Sequence, residues 1–269
     1  MQGLVRRRFL TAAAAAIALP ALAQQRRSLA DPLRLGVDLA LVDSGLARAL
    51  QVGFGRDTGV AVKLEPRPAA AVLEALERGE LDASLTNAPE IETKLFDAGY
   101  AHDRRLVATG SWVLVGPKPK SRKQPDPAGI AGERDIAVAL AKLRDAPEGS
   151  ATFLSANDGS GTHLAELALW RIAKIGPAAP WHAVSAATPT PYIARLRSAG
   201  AYGIVDRGAW AALGGAPLAV LVEGDARMDA PVHVMRSFRT SHPAAKLFSG
   251  WIAGPKGRRV VAGARGYRA

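Results

Sequence analysis

The sequence predicts an α/β protein folded as two lobes of similar size around a cleft. From residue 33 onward, short apolar runs of strand length alternate with segments of helical periodicity, which is typical of open α/β sheets. A polar stretch rich in Lys and Pro, residues 118–132, separates two such sets and predicts an exposed loop or a crossing between lobes. The strands predicted near the end of the chain can pair with strands of the first set. We therefore expect lobe 1 to comprise residues 24–115 and 218–269, and lobe 2 to comprise residues 116–217.

Each predicted element follows from a local pattern. Apolar runs bounded by turn residues predict strands, and apolar residues at intervals of three and four predict helices, one of which has Pro89 near its start. In the first set, these are strands 33–37, 60–65, 81–86 and 105–115 and helices 44–54, 69–78 and 90–99. In the second set, they are helices 133–144, 161–174 and 192–198 and strands 151–155 and 202–205, followed by strands 218–222 and 232–236 and helix 242–253, with Trp251 facing inward.

Residues 1–23 predict an export signal. Arg6, Arg7 and Arg8 precede Phe9, Leu10, an apolar run and a small-residue pattern that predicts cleavage near Ala23. The order Arg-Arg-x-Phe-Leu resembles that of twin-arginine signals, and an ordinary secretory signal with a basic start is the alternative. The apolar run is too short for a spanning helix, which needs about 20 residues. We therefore expect the mature protein in the periplasm.

The composition excludes several classes of function. The 269-residue chain is 48% apolar and has no cysteine, so disulfides, thiolate metal sites and thiol catalysis are excluded, and stability must come from a buried core. The formal net charge of +11 falls to +8 when the three signal arginines are removed. The basic residues are scattered, which predicts a solvated basic surface and no nucleic-acid partner. Zinc-binding, phosphate-loop and dinucleotide motifs are absent, so we expect neither metal nor cofactor, and we expect a monomer.

The most informative stretch of the sequence is Ser-Ala-Asn-Asp-Gly-Ser-Gly-Thr-His, residues 155–163. Free N–H groups at a helix start, together with the hydroxyls of Ser160 and Thr162, form a corner suited to a small anion, to which Gly161 and Asn157 also belong. The alternative is that Ser160 or Thr162 only caps the helix. Loops 37–45, 86–90 and 205–208 also follow strands, where ligands of α/β sheets bind.

Two further interpretations of these loops are open. Asp206 and Arg207 end a strand, either as an internal ion pair or as ligand contacts. Ser160 and His163 raise the possibility of a serine hydrolase, which predicts labelling by a serine-directed phosphonate. Residues three apart at a helix start do not by themselves present a hydroxyl to an imidazole, and Asp-Gly-Ser-Gly is not the nucleophile-elbow motif. We therefore expect a binding protein rather than an enzyme, with His163 in a structural role.

A series of short segments connects these loops to a known family. They are residues 43–46, 58–60, 78–82, 87–92, 98–100, 115–117, 126–130, 157–163 with Glu166 and Trp170, Tyr202, 206–210 and 248–257. In this order they resemble the periplasmic tungstate-binding proteins of ABC importers, a branch of the type II periplasmic solute-binding proteins. The resemblance implies the two-lobed type II fold, each lobe a mixed sheet flanked by helices, with an oxyanion of the tungstate or molybdate type closed into the cleft. It also implies an ABC permease in the inner membrane as partner.

The ligand loops depart from the family's pattern. Residues 37–41 are Val-Asp-Leu-Ala-Leu where the family carries a hydroxyl-rich run, and residues 68–70 are Pro-Ala-Ala where it has Gly-Thr-Gly. Ala156 replaces an arginine and Asn87 replaces a histidine, whereas Arg67 is a candidate to restore the missing charge. A buried dianion needs nearly every oxygen satisfied, at about 1.5–3 kcal/mol for each charge-assisted bond.

The sequence therefore predicts an altered oxyanion site. Asp38 disfavours an anion unless its carboxylate is paired or points away. We expect the retained corner of Ser160, Gly161, Thr162 and Asn157 to be joined by Ser44, Arg67 and Arg207. The alternative function is a periplasmic sensor or accessory binding module without transport, and the absence of neighbouring permease and ATPase genes would favour it.

Overall fold

Strands and helices alternate along the chain. The computed structural model describes residues 28–121, 123–185 and 190–269, so the predicted export signal lies outside the described residues. The strands are β1 Leu33–Asp38, β2 Val62–Arg67, β3 Ala83–Thr86, β4 Ala101–Pro117, β5 Phe153–Ser155, β6 His182–Val184, β7 Gly203–Asp206, β8 Leu218–Val222 and β9 Asp229–Ser237. The helices are α1 Leu39–Asp43, α2 Leu46–Thr58, α3 Ala69–Arg78, α4 Pro89–Asp97, α5 Ile136–Arg144, α6 Gly161–Ala173, α7 Tyr192–Ala199, α8 Arg207–Leu213, α9 Pro243–Ala253 and α10 Pro255–Ala262.

The main sheet is mixed. Its strand order is β2-β1-β3-β9-β4-β7, and β8 also pairs with β4. Strands β1, β2 and β3 run parallel, whereas β9 is antiparallel to β3 and β4. A short parallel pair, β5 and β6, adjoins the start of β7 through the hydrogen bond from Leu154 N to Tyr202 O. Because β1 and β3 are parallel, their carboxyl ends open onto the same edge of the sheet.

The buried side chains form two main cores, each within its own lobe. Lobe 1 surrounds a core of Leu33, Leu35, Phe54, Val232 and Phe248, and lobe 2 surrounds a core of Trp112, Leu114, Phe153, Trp170 and Tyr202. In each core an edge-to-face aromatic pair lies at the centre, Phe54 with Phe248 at 5.1 Å and Phe153 with Trp170 at 5.0 Å. Such pairs add about 0.5–1.5 kcal/mol beyond the area that they bury.

Strands β4 and β9 connect the two lobes. Val107 of β4 packs in the core of lobe 1, while Trp112 of the same strand packs in the core of lobe 2. On β9, Val232 packs in the core of lobe 1 and Ala230 packs in the core of lobe 2. The predicted boundaries at 115/116 and 217/218 stay a prediction, and the packing of Leu221 with the second core favours boundaries nearer this crossing.

The predicted strands and helices are confirmed within a few residues at their ends, and helix 69–78 and strand 218–222 have the predicted bounds. The elements not predicted are α1, α8, α10 and β6, each of eight residues or fewer. Trp251 faces inward as predicted and contacts Phe54 with a ring separation of 5.5 Å. No helix within the described part of the chain has both the length and the apolarity that crossing a bilayer requires.

Candidate ligand site

A cavity of about 300 Å³ lies between the lobes. Helix α1 contributes one wall, and the opposite wall comes from the start of α6, the start of α7 and the β7–α8 turn. Among the described residues, the polar side chains in its lining are those of Asp43, Asp158, Ser160, Thr162, Thr190, Tyr192, Arg195 and Asp206. Three carboxylates therefore face one guanidinium, which is an acidic setting for an anion.

The start of α6 is a capped helix end at the rim of this cavity. Ser160 is the N-cap, and its Oγ accepts a hydrogen bond from His163 N at 3.3 Å, as the capping alternative predicts. Ser160 N donates to Asp158 Oδ1 at 2.9 Å. The buried face of the helix carries Thr162, Glu166 and Trp170, four residues apart.

His163 has the structural role that the sequence predicts. Its Nδ1 accepts a hydrogen bond from Gly159 N at 3.1 Å, so that nitrogen faces the turn before the helix. The Ser160 hydroxyl, in turn, is engaged with the backbone of His163. This geometry is that of a helix cap and does not activate a nucleophile. Asn157 has a φ of 48° and is exposed, so it shapes the turn and lies outside the cavity lining.

Asp38 contacts the start of α6 from the opposite lobe. Its Oδ2 accepts a hydrogen bond from Gly161 N at 2.9 Å, and its Oδ1 accepts one from Ala40 N at 3.1 Å. The carboxylate is fully buried. Burial raises the pKa of Asp38 from 3.8 to about 7, against the lowering effect of the two N–H donors, and the charges of Asp158 and Asp206 raise it further. The position predicted for a bound anion is therefore held by a carboxylate of the protein itself.

Asp206 is a second buried carboxylate at the cavity. It caps α8, and its Oδ1 accepts hydrogen bonds from Ala209 N at 2.8 Å and from the Tyr267 hydroxyl at 2.9 Å. Burial raises its pKa from 3.8 to about 6. The Tyr267 hydroxyl also lies 3.0 Å from Ser44 Oγ, which places Ser44 behind the cavity wall. Of the two alternatives for Asp206 and Arg207, the internal ion pair is not formed, because Arg207 instead pairs with Glu223 at 2.8 Å. The assignment of Arg207 to the ligand stays a prediction.

The remaining predicted residues are not part of the cavity lining, although Asn87 adjoins the start of α6. Arg67 pairs with Glu65 at 2.8 Å and with Glu80 at 3.3 Å, so its charge is already matched on the surface of lobe 1. Ala156 is buried at the end of β5. Asn87 is only 2% exposed and packs against Gly161, and neither of its amide atoms has a hydrogen-bond partner among the described residues.

Sequence reasoning missed Tyr192 and Arg195, which start the helix after a Thr-Pro segment. The Arg195 guanidinium lies 5.5 Å from the Tyr192 ring centroid, and its Nη1 donates to Ser185 Oγ at 2.5 Å. The available signal is an aromatic and a basic residue three positions apart at a helix start, beyond Pro191. Asp43 and Asp158 belong to predicted loops but were not assigned to the site.

Two α/β lobes joined by two crossing strands, with a polar cavity between them, define a binding protein that encloses a small solute. The family model described as PBP superfamily domain matches residues 40–251, and the chain belongs to this family. The predicted fold class, a two-lobed α/β protein with mixed sheets flanked by helices, is confirmed.

Relatives with known names support the predicted resemblance. The tungstate-binding protein TupA of Peptoclostridium acidaminophilum is 29% identical over 227 residues, which cover 81% of this chain and 76% of the relative. The crystal structure of the tungstate ABC transporter from Geobacter sulfurreducens matches with a TM-score of 0.74 and 29% identity, covering 87% of this chain and 98% of that chain. The tungstate-binding protein TupA from Desulfovibrio alaskensis G20 matches with a TM-score of 0.67 and 27% identity, covering 86% and 94%. The predicted resemblance to tungstate-binding proteins is thus confirmed.

Proposed function

We propose that this protein is the solute-binding component of an ABC importer and binds a small oxyanion between its lobes. Family membership and the named relatives support this proposal, since three matched proteins are described as tungstate-binding or as a tungstate ABC transporter. The observation that carries it is the cavity of about 300 Å³ at the start of α6, where a helix N-terminus meets the edge of the opposite lobe. We propose binding, rather than catalysis, as the function of this site.

Ser160, Gly161 and Thr162 are the residues that we assign to the ligand. The Ser160 and Thr162 side chains line the cavity, and the Gly161 N–H points toward the opposite lobe, where Asp38 accepts it. Residues 37–41 and Ala156 lack the hydroxyls and the guanidinium that the resemblance implies at these positions, so we expect weaker binding than a fully substituted site would give. Each missing charge-assisted bond costs about 1.5–3 kcal/mol, or roughly one to two powers of ten in affinity.

Calorimetric titration of ligand-free protein with tungstate, molybdate and sulfate tests the oxyanion. We expect saturable heat with at least one of the three. The double substitution Ser160→Ala and Thr162→Ala is expected to weaken that binding at least tenfold while the protein stays folded. No heat with any anion on folded protein would remove the oxyanion proposal, and unchanged affinity in the double variant would remove the site assignment.

Three further properties belong to the same proposal. We infer export to the periplasm, a permease of the inner membrane as partner, and a monomeric state, in keeping with the ABC transporter relatives. Size-exclusion chromatography with light scattering measures the oligomeric state. Fractionation of cells followed by detection of the protein, with and without conversion of Arg6 and Arg7 to Lys, measures export and its dependence on the arginine pair.

A further inference from the structure

One contact between the lobes blocks the anion position at α6. The helix is 13 residues long and its first N–H, that of Gly161, donates across the cleft to Asp38 Oδ2 at 2.9 Å. Asn87 lies at the same point, buried, with its amide oxygen against Gly161 and no hydrogen-bond partner among the described residues for either amide atom. At this helix N-terminus, the Asp38 carboxylate takes the place of a bound anion at one N–H group. The buried Asn87 amide beside it has no partner in the described part of the chain, which indicates that an anion would make a bond there that Asp38 does not make.

The charges around Asp38 are mostly of its own sign. Asp158 precedes the α6 cap and Asp206 caps α8, and both raise the pKa of the Asp38 carboxyl. Asp43, at the end of α1, lines the cavity between the lobes together with Asp158 and Asp206, and burial raises its pKa as well. Arg195 is the guanidinium in the described lining, and it also bonds Ser185.

Three nearby groups that could neutralise Asp38 or donate to it are engaged elsewhere. Arg67 is the register partner of Asp38 on β2, yet its guanidinium pairs with Glu65 and Glu80. His163, one turn into α6, accepts from Gly159 N. The Tyr267 hydroxyl faces Asp206 and Ser44 rather than Asp38. An ionised Asp38 therefore depends on two backbone N–H groups alone for its stabilisation among these neighbours.

We propose that Asp38 is the residue that selects the ligand's charge: when ionised it excludes a dianion from the start of α6, so an oxyanion enters only together with one proton. This inference rests on the proposed function. A dianion and an ionised Asp38 would face each other in a buried site, where like charges cannot both stay ionised. Once the proton is on Asp38, its O–H can donate to the oxyanion, the Gly161 N–H is released to the ligand, and Asn87 Nδ2 becomes a third donor.

The test is the pH dependence of sulfate and tungstate binding, measured by calorimetry between about pH 6 and 9. Above the pKa of about 7, we expect the affinity of the unaltered protein for sulfate to fall about tenfold per pH unit, the slope for uptake of one proton. Sulfate itself remains a dianion throughout this range. Titrations in two buffers of different ionisation enthalpy measure the proton directly, and we expect close to one proton taken up per anion at the upper end of the range.

Asp38→Asn removes the titrating group and keeps a side chain that can cap α1. We expect it to bind sulfate at least about tenfold more tightly than the unaltered protein one pH unit above the pKa, with little remaining slope. Asp38→Ser, with a shorter capping side chain, gives the same result if the Asn variant folds poorly. Asp43→Asn is the matched control, because it removes a carboxylate that lines the neighbouring cavity and does not bond Gly161, and it should keep the slope.

The outcomes separate this inference from the proposed function. Binding of sulfate or tungstate by the unaltered protein with no proton uptake and no slope would overturn the role of Asp38 and leave the oxyanion receptor in place. Absence of binding in the unaltered protein and in both Asp38 variants would overturn the receptor proposal itself. A slope that persists in Asp38→Asn and disappears in Asp43→Asn would assign the proton to Asp43 and contradict the inference.

Discussion

At the scale of single residues, the environment of Asp38 opposes its own ionisation. Two backbone N–H groups bond the carboxylate, and charge-assisted bonds of this kind contribute about 1.5–3 kcal/mol each. Complete burial and two neighbouring carboxylates act in the other direction, and the net result is a pKa raised to about 7. Burial therefore outweighs the two hydrogen bonds. Between pH 3.8, the pKa of Asp38 in the unfolded chain, and about pH 7, its pKa in the folded protein, Asp38 holds a proton when the protein is folded and releases it on unfolding.

The first prediction concerns stability against pH in Asp38→Asn. Because the folded pKa lies above the unfolded value of 3.8, the stabilising contribution of Asp38 is fully present below about pH 4 and is lost as the pH rises through about 7. The free energy of unfolding of the Asn variant, relative to the unaltered protein, should therefore rise by up to about 4 kcal/mol between pH 4 and 8. Urea unfolding at several pH values measures it.

An exposed carboxylate gives the control for this prediction. Glu74→Gln, on the surface of α3 beside Arg78, should change stability by less than about 0.5 kcal/mol at each pH. A pH-independent difference between Asp38→Asn and the unaltered protein would contradict the raised pKa of Asp38.

The second prediction concerns the contact between Gly161 and Asn87. A Cβ at position 161 would overlap the Asn87 amide oxygen, so Gly161→Ala should destabilise the protein by about 1–3 kcal/mol. Adding Asn87→Ala removes the overlap and should recover most of that loss, which a double-mutant cycle of thermal unfolding measures. Gly250→Ala is the matched control: Gly250 lies inside α9 with nothing within 4 Å of its added Cβ, so it should stabilise by roughly 0.5–1 kcal/mol. Equal effects at the two glycines would show that Asn87 does not pack against Gly161.

At the scale of elements, the third prediction concerns the start of α6, where Ser160 both caps the helix and lines the cavity. Two substitutions of Ser160 distinguish its contribution to stability from its contribution to ligand affinity. Ser160→Ala removes the cap and should cost about 1 kcal/mol of stability, whereas Ser160→Gly should cost only a few tenths. Both lack the hydroxyl. We therefore expect both to lose affinity for the anion equally, although only the Ala variant loses stability. Chemical unfolding and calorimetry on the two variants provide the measurements. Full affinity in Ser160→Gly would limit the hydroxyl to its capping role.

The same helix shows how far the sequence could predict the site. The cap and the turn at residues 155–163 were predictable, because Asn, Gly and Ser at those positions act on backbone a few residues away. The bond between Asp38 and Gly161 was not, since it joins residues 123 positions apart and depends on the closure of two lobes. Arg67 illustrates the opposite error. Its nearness to the second loop in sequence suggested the cleft, whereas the β2 register points its guanidinium toward Glu65 and Glu80.

At the scale of the whole molecule, the two lobes make further contacts besides the hydrogen bond between Asp38 and Gly161. Ala70 N, on α3 of lobe 1, donates to Gly159 O before α6 at 3.0 Å. Glu90 on α4 and Arg171 on α6 form an exposed ion pair at 2.5 Å. Exposed pairs of this kind contribute at most about 1 kcal/mol. The lobes are thus held together more by buried hydrogen bonds, those of Gly161 with Asp38 and of Tyr267 with Asp206, than by this exposed pair.

The final prediction uses the absence of cysteine in the chain. A Cβ at Gly159 would lie 3.4 Å from Ala70 Cβ, close to the roughly 3.5–4.5 Å that disulfides span. Gly159 has a φ of 73°, so a Cys there costs about 1–2 kcal/mol of backbone strain. In the double variant Ala70→Cys and Gly159→Cys, oxidation without ligand should still lock the lobes together and stop tungstate or sulfate from entering. Reduction should restore binding. The measurements are thiol labelling and calorimetry under both conditions, with each single Cys variant as control. Unimpaired binding in the fully oxidised variant would contradict entry of the ligand through the cleft.

The pairing of β4 with β9 limits how the lobes can move. A single connecting strand would leave the lobes free to rotate about its bonds, but two hydrogen-bonded antiparallel strands side by side resist torsion and leave bending as the soft degree of freedom. The register between β4 and β9 is irregular twice within lobe 1, between His102 and Arg105 and between Leu106 and Ala108, whereas the pairing from Ala108 to Ser111 stays regular through the crossing. A joint that bends without twisting returns the same surfaces to each other after every opening, so Gly161 meets Asp38 and Asn87 again on each closure.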